Sequence, residues 1–117
     1  MDLVKLIAKL KKIAGGDAGI VMIHNGIVRN CSRDGIPVKS IEVKVDWGKL
    51  FQILADTRKL PGIMAAEAEI QEGRLIVGED IMFLGLAGST REYVIMALQS
   101  TLDKINKDVS IKEEFVI

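Results

Sequence analysis

At 117 residues, with 49% hydrophobic and 27% charged side chains, the chain has the balance of one globular domain, spanning 1–117, and no room for a second. Its 16 basic and 16 acidic residues cancel to a formal net charge of zero, which excludes the global positive field needed for nonspecific nucleic-acid or anionic-membrane binding. No apolar run approaches the ~20 residues of a membrane helix, and the N-terminus alternates lysine with leucine instead of carrying a secretion signal, so the chain reads as cytosolic. One cysteine, Cys31, excludes an internal disulfide, and one histidine, His24, leaves no His/Cys cluster; neither metal nor cofactor is expected.

In chain order, Asp2 caps a helix whose apolar positions Leu3, Leu6, Ile7, Leu10 and Ile13 follow helical spacing. Lys5, Lys9, Lys11 and Lys12 lie mostly on its solvated face, and Gly15-Gly16 stops it. Gly19 to Arg29 is an apolar, β-branched strand that ends in a cation. Period two puts Arg29 on the face of Val21, Ile23 and Ile27, where the core points, unless a bulge at Asn25-Gly26 reverses the alternation. Cys31 to Gly35 is a loop, and Pro37 opens a half-buried strand in which Ile41, Val43 and Val45 alternate with Glu42 and Lys44.

Asp46 caps the next helix, with Trp47 as a core anchor, and Pro61-Gly62 ends it. Ile63 to Gln71 is a weaker strand. Turns at Glu72-Gly73 and Gly78-Asp80 precede the most apolar run, Ile81 to Ala87, expected to be central. Ser89 and Glu92 have capping-box spacing at the start of a third helix striped with Val94, Leu98, Leu102 and Ile105, and Val109 to Ile117 returns as a strand. The order α-β-β-α-β-β-α-β predicts an α+β fold, helices packed on a mainly antiparallel sheet.

Four cations stand out. Arg29 ends a buried strand, and Arg91 occupies a helix's first turn, where the dipole disfavours a cation unless an anion binds or Glu92 pairs with it. Lys107 ends that helix and Lys112 follows in the last strand; the C-terminal dipole is a sufficient structural reason for lysines there. Arginine suits a fixed phosphate clamp, and a desolvated lysine can exchange protons near neutral pH, so the set suits group transfer on a phosphate-bearing substrate. Cys31 reads as an incidental loop thiol, His24 as a core or edge histidine, and Glu113 and Glu114 as solvated strand positions.

Together these positions resemble the large, catalytic subunit of molybdopterin synthase, the MoaE family. The likeness runs from Asp17 to Glu114: Gly26-Ile27-Val28-Arg29-Asn30 is similar to a glycine-x-valine-arginine strand end, and Gly73-Arg74-Leu75 with Gly78-Glu79 to its glycine turns. Arg91 falls on the arginine of a serine-alanine-histidine-arginine helix entry, and Lys107 with Lys112-Glu113-Glu114 resembles the family's lysine-bearing ending. Thr90 stands where that entry has histidine, Ile70-Gln71 where the family has histidine-arginine, and Ser110 where it has proline. The resemblance implies an α/β-hammerhead type of fold, a homodimer, no cofactor, and a small ubiquitin-like sulfur-carrier partner whose Gly-Gly tail ends in a thiocarboxylate. It implies sulfur transfer to cyclic pyranopterin monophosphate, with Arg29 and Arg91 binding substrate and Lys107 and Lys112 serving proton transfer and the tail carboxyl. The replaced positions leave a non-catalytic scaffold or ligand-binding dimer as the alternative.

Overall fold

A computed structural model describes residues 1–116; Ile117, the end of the expected last strand, lies outside the described residues. Three helices and six strands follow one another: α1 (Leu3–Ala14), β1 (Ile20–Ile27), β2 (Val38–Val45), α2 (Trp47–Arg58), β3 (Ile63–Ile70), β4 (Gly73–Ile76), β5 (Asp80–Gly88), α3 (Arg91–Asp108) and β6 (Ser110–Val116). The fold is α+β, as expected. Its strands divide over two antiparallel sheets of three, ordered β1-β5-β3 and β4-β2-β6.

The helix starts follow from short polar side chains satisfying free amides. Asp2 accepts from the Lys5 amide at 3.2 Å and Asp46 from the Lys49 amide at 3.1 Å. Gly15, at φ +68°, ends α1 in the left-handed region that glycine tolerates, and a short 3-10 turn over Gly15–Asp17 follows. Only Leu6 and Leu10 of α1 are buried; Leu3 and Ile13 emerge at its ends.

β5 is the central strand of its sheet and is buried from Ile81 to Gly88, which explains why its sequence reads as a continuous apolar run instead of alternating. α1 covers one face, where Leu6 and Leu10 meet Ala65, Phe83 and Ala87. It approaches so closely that a Cβ on Gly85 would stand 2.5 Å from Leu10 Cδ1 and 2.8 Å from Ile23 Cδ1. On the other face Met82, Leu84 and Leu86 join the larger core with α2, α3 and the inner face of the second sheet, including Ile41, Val43 and Leu75. Between α2 and α3, the buried hydroxyls of Thr57 and Thr101 satisfy each other at 2.7 Å.

Three sequence expectations change. β4 occupies the stretch read as consecutive turns: Arg74 and Leu75 pair with Glu42 and Ile41 between positive-φ glycines at 73 and 78. Trp47 is not a core anchor. It is 38% exposed, donates from Nε1 to Glu72 Oε1 at 2.9 Å, and lies 6.3 Å centroid to centroid from the exposed ring of Phe51. The Ser89–Glu92 capping box does not form either. The Ser89 amide is spent on the Gly62 carbonyl at 2.9 Å, so the chain stays extended one residue longer and Thr90 occupies the cap without a side-chain bond.

Candidate functional site

The site is made where the two sheets meet at one end of β5. β1 pairs with β5 in regular register from Ile20 to Gly26; then Ile27 faces Asp80, leaving Ile81 as the extra residue. Val28 is buried in the main core, its amide donating to Glu79 O at 2.9 Å. Arg29 follows, past the strand end. Its expected inward direction is not observed: α1 covers Val21 and Ile23, but Ile27 on the same face is 55% exposed, and Arg29 is exposed as well. The arginine is nevertheless held, with Nε donating to Cys31 O at 2.9 Å.

From the second sheet, β6 brings Lys112 opposite Val43 and Glu114 opposite Ile41. Residues directly opposed in an antiparallel pair share a face, so Lys112 and Glu114 lie on the side of Ile41, Val43 and Leu75, which is the core side. Glu113 and Phe115 take the outer side, where the Arg74 guanidinium lies 4.1 Å over the Phe115 ring. Two charged residues on the apolar face of an edge strand face the end of β1 across a cleft of ≈ 160 Å³. Arg29, Cys31, Lys112 and Glu114 supply its polar lining and Ile27, Val28, Ile41 and Ile81 its apolar floor.

Its electrostatics follow from this placement. Partial burial, and secondarily the Arg33 guanidinium, lower the Lys112 ammonium below its usual 10.5, although much of the side chain remains exposed. His24, on the core-side face of β1, is likewise lowered from 6.5 by burial and then by the charge of Lys112, which keeps the imidazole neutral at pH 7. Among the described residues, neither Arg29, Arg33 nor Lys112 has a carboxylate within 4.0 Å. The cleft therefore offers a fixed guanidinium, an amine disposed to lose its proton and a carboxylate, a set able to bind an oxyanion and move protons beside it. Among the described residues no group of three or more His, Cys, Asp or Glu is placed to hold a metal ion.

Of the four expected cations, Arg29 and Lys112 meet here. Arg91 does not: it starts α3 beyond the opposite end of β5, whose last residue, Gly88, is seven residues from Ile81 and thus roughly 24 Å away along the strand. Its side chain is 71% exposed and lies 4.0 Å from Glu92. Lys107 stands at the other end of α3, sixteen residues on and so about 24 Å from Arg91; it is exposed and does not line the cleft. Cys31, Glu114, His24 and Arg33 were not singled out as site residues. For Glu114 the period-two relation to Lys112 was a usable signal.

A model of the family described as MoaE protein matches residues 2–108. Among solved structures, the chain is similar to a molybdopterin synthase from Staphylococcus aureus, with 18% identity and a TM-score of 0.82 over 100% of this chain and 86% of that one. It is similar also to the molybdopterin cofactor biosynthesis protein E of Burkholderia multivorans ATCC 17616, with 23% identity and a TM-score of 0.79 over 100% and 82%. A third likeness is to a protein–protein complex of subunits 1 and 2 of the molybdopterin-converting factor of Helicobacter pylori 26695, with 14% identity and a TM-score of 0.74 over 99% and 80%. At these identities the likeness is one of fold. No curated protein matches in sequence.

Proposed function

The chain belongs to the MoaE protein family, and from that premise we propose that it is the large subunit of a molybdopterin synthase. In this reading it transfers sulfur from the C-terminal thiocarboxylate of a small ubiquitin-like partner to cyclic pyranopterin monophosphate, in the cytoplasm. The observation that carries the reading is the convergence of Arg29 and Lys112 on one cleft from separate sheets. Arg29 holds an anionic group of the substrate. Lys112, whose lowered pKa brings its neutral form closer to physiological pH, takes the proton of the water that adds to the tail's acyl carbon as the carbon–sulfur bond breaks, leaving the sulfur on the pterin and the tail as a carboxylate, and Glu114 lies beside it.

The volume supports a shared site. Pockets for small-molecule ligands run from ~300 Å³ upward, so a cleft of ≈ 160 Å³ is too small to enclose a pterin alone and takes further walls from a partner. Arg91 and Lys107 act on the same substrate only if a second copy brings one or both of them to the cleft, which is the role of the homodimer in this proposal. Among the described residues no helix is long and apolar enough to cross a membrane.

The test is to combine the purified chain with a thiocarboxylated small partner and the pterin substrate and assay for the dithiolene product. Product forms with the thiocarboxylated tail and not with the ordinary carboxylate tail. Absence of product with several partners that bind the chain contradicts the enzyme reading and leaves a scaffold.

A further inference from the structure

Asn25 does not line the cleft, but it is tied to the bulge that shapes it. Along β5, Phe83 and Ala87 face α1 while Met82, Leu84 and Leu86 face the larger core, so unbroken alternation would send Ile81 to the α1 side and Asp80 to the core side. The bulge reverses both. Ile81 joins the larger core and floors the cleft, and Asp80 stands opposite Ile27, on the face that Asn25 also takes. The Asn25 carboxamide grips β5 on either side of the extra residue, its Nδ2 donating to Asp80 Oδ1 at 3.2 Å and to Met82 O at 3.3 Å. Beyond the bulge the Val28 amide donates to Glu79 O and the Gly78 amide to Val28 O, both at 2.9 Å, so the shifted register is carried to the residue before Arg29.

We propose that Asn25 is a positioning residue for Arg29, its carboxamide selecting the bulged register over the unbroken one. In the unbroken register Ile27 would face Ile81 and Val28 would face Asp80. That arrangement turns Ile81 off the cleft floor and moves Arg29 by one residue, about 3.4 Å, relative to β5. An unbroken ladder leaves no residue unpaired, so the bulge needs a bond of its own to persist. Asn25 supplies it: the donor reaches Asp80 only when the bulge has turned that carboxylate to its face, and a hydrogen bond to a carboxylate is stronger than one between neutral groups. The importance of Arg29 to the substrate rests on the sulfur-transfer reading, whereas the register that Asn25 holds can be measured without it.

Cys31 reports where Arg29 stands, because Arg29 Nε donates to its carbonyl and its thiol is the only one in the chain. The ratio of its alkylation rates by anionic iodoacetate and neutral iodoacetamide follows the local positive potential with accessibility divided out. Arg29→Ala lowers that ratio about two- to fivefold, the range of one exposed charge acting on a neighbour. Asn25→Ala removes no charge, yet it lowers the ratio by at least half as much on a logarithmic scale. Asn25→Gln, which keeps both amide hydrogens on a longer stem, holds the ratio near the native value, and the double variant Asn25→Ala/Arg29→Ala is no lower than Arg29→Ala alone. Thr101→Val loosens the packing of α2 on α3 and leaves the ratio unchanged, which separates positioning from general destabilisation. In the sulfur-transfer assay Asn25→Ala raises the KM for the pterin phosphate about two- to tenfold, with kcat within about twofold of native. If Asn25→Ala leaves the ratio native while Arg29→Ala lowers it, or if the two effects add, the inference is overturned and the sulfur-transfer reading stands. If Arg29→Ala itself changes nothing, Arg29 does not charge the cleft, and the reading that gives it the substrate's anion falls as well.

Discussion

The two ends of β5 carry similar charges in opposite settings. At the end near Ile81, Arg29 and Lys112 come from different sheets, share a cleft with apolar walls, and have no carboxylate within 4.0 Å among the described residues. At the end near Gly88, Arg91 stands on a helix start, exposed, beside an acid of its own turn. Both arginines come two or three residues past the end of an apolar strand, so the residue type and its distance from the strand do not separate them. What separates them is convergence: a second element at one end brings a further cation into partly desolvated surroundings, and the other end has solvent. A cation becomes chemically useful when the fold withholds its counter-ion.

The contrast predicts graded effects. Lys112→Ala at the convergent end slows sulfur transfer by about 10²–10⁴-fold, the usual contribution of a positioned proton-transfer group, with partner binding retained. Single-turnover product formation measures it. Arg29→Ala weakens binding of the pterin phosphate by roughly 10- to 100-fold, the loss of a charge-assisted hydrogen bond, read by titration calorimetry. For Arg91 the comparison can be broken directly. Mixing Arg91→Ala with Lys112→Ala chains recovers up to about a quarter of native activity if a second copy supplies Arg91, since randomly mixed two-fold dimers then contain intact sites. No recovery removes Arg91 from the reaction.

A smaller effect concerns pH. His24 has a folded pKa below 6.5, so under acid conditions the unfolded chain takes up its proton first. Stability falls as pH drops from 6.5 toward the folded pKa and then levels off, and His24→Asn flattens that slope in denaturant melts. The smallest effect is at the isolated end. Glu92→Gln changes stability by less than ~0.5 kcal/mol, because an exposed pair at 4.0 Å contributes little.

How much of this was visible in the sequence depends on the range of the interaction. The caps at Asp2 and Asp46, the stop at Gly15 and the central place of β5 are local or compositional, and the structure has them as expected. β4 was hidden because four residues between two turn-forming glycines resemble a longer turn, and only pairing with β2 makes them a strand. Trp47 was misplaced because it opens α2 at the border of the buried stripe of Leu50, Ile53, Leu54 and Thr57, where its indole turns to Glu72 and Phe51 instead of the core. Within the site, Arg29 and Lys112 were nameable as separate cations, but their meeting depends on the register that sets Lys112 against Val43. The same register turns Glu114 inward, whereas its neighbour Glu113 faces out.

The central claim is that the cleft between the end of β1 and β6 receives the partner's tail, and acetylation footprinting of lysines tests it most directly. When the thiocarboxylated small partner and the pterin phosphate are added, the account predicts that Lys112 becomes protected while Lys104, on the outer side of α3, labels as in the free chain. Equal labelling of Lys112 in the free chain and in the saturated complex would contradict it.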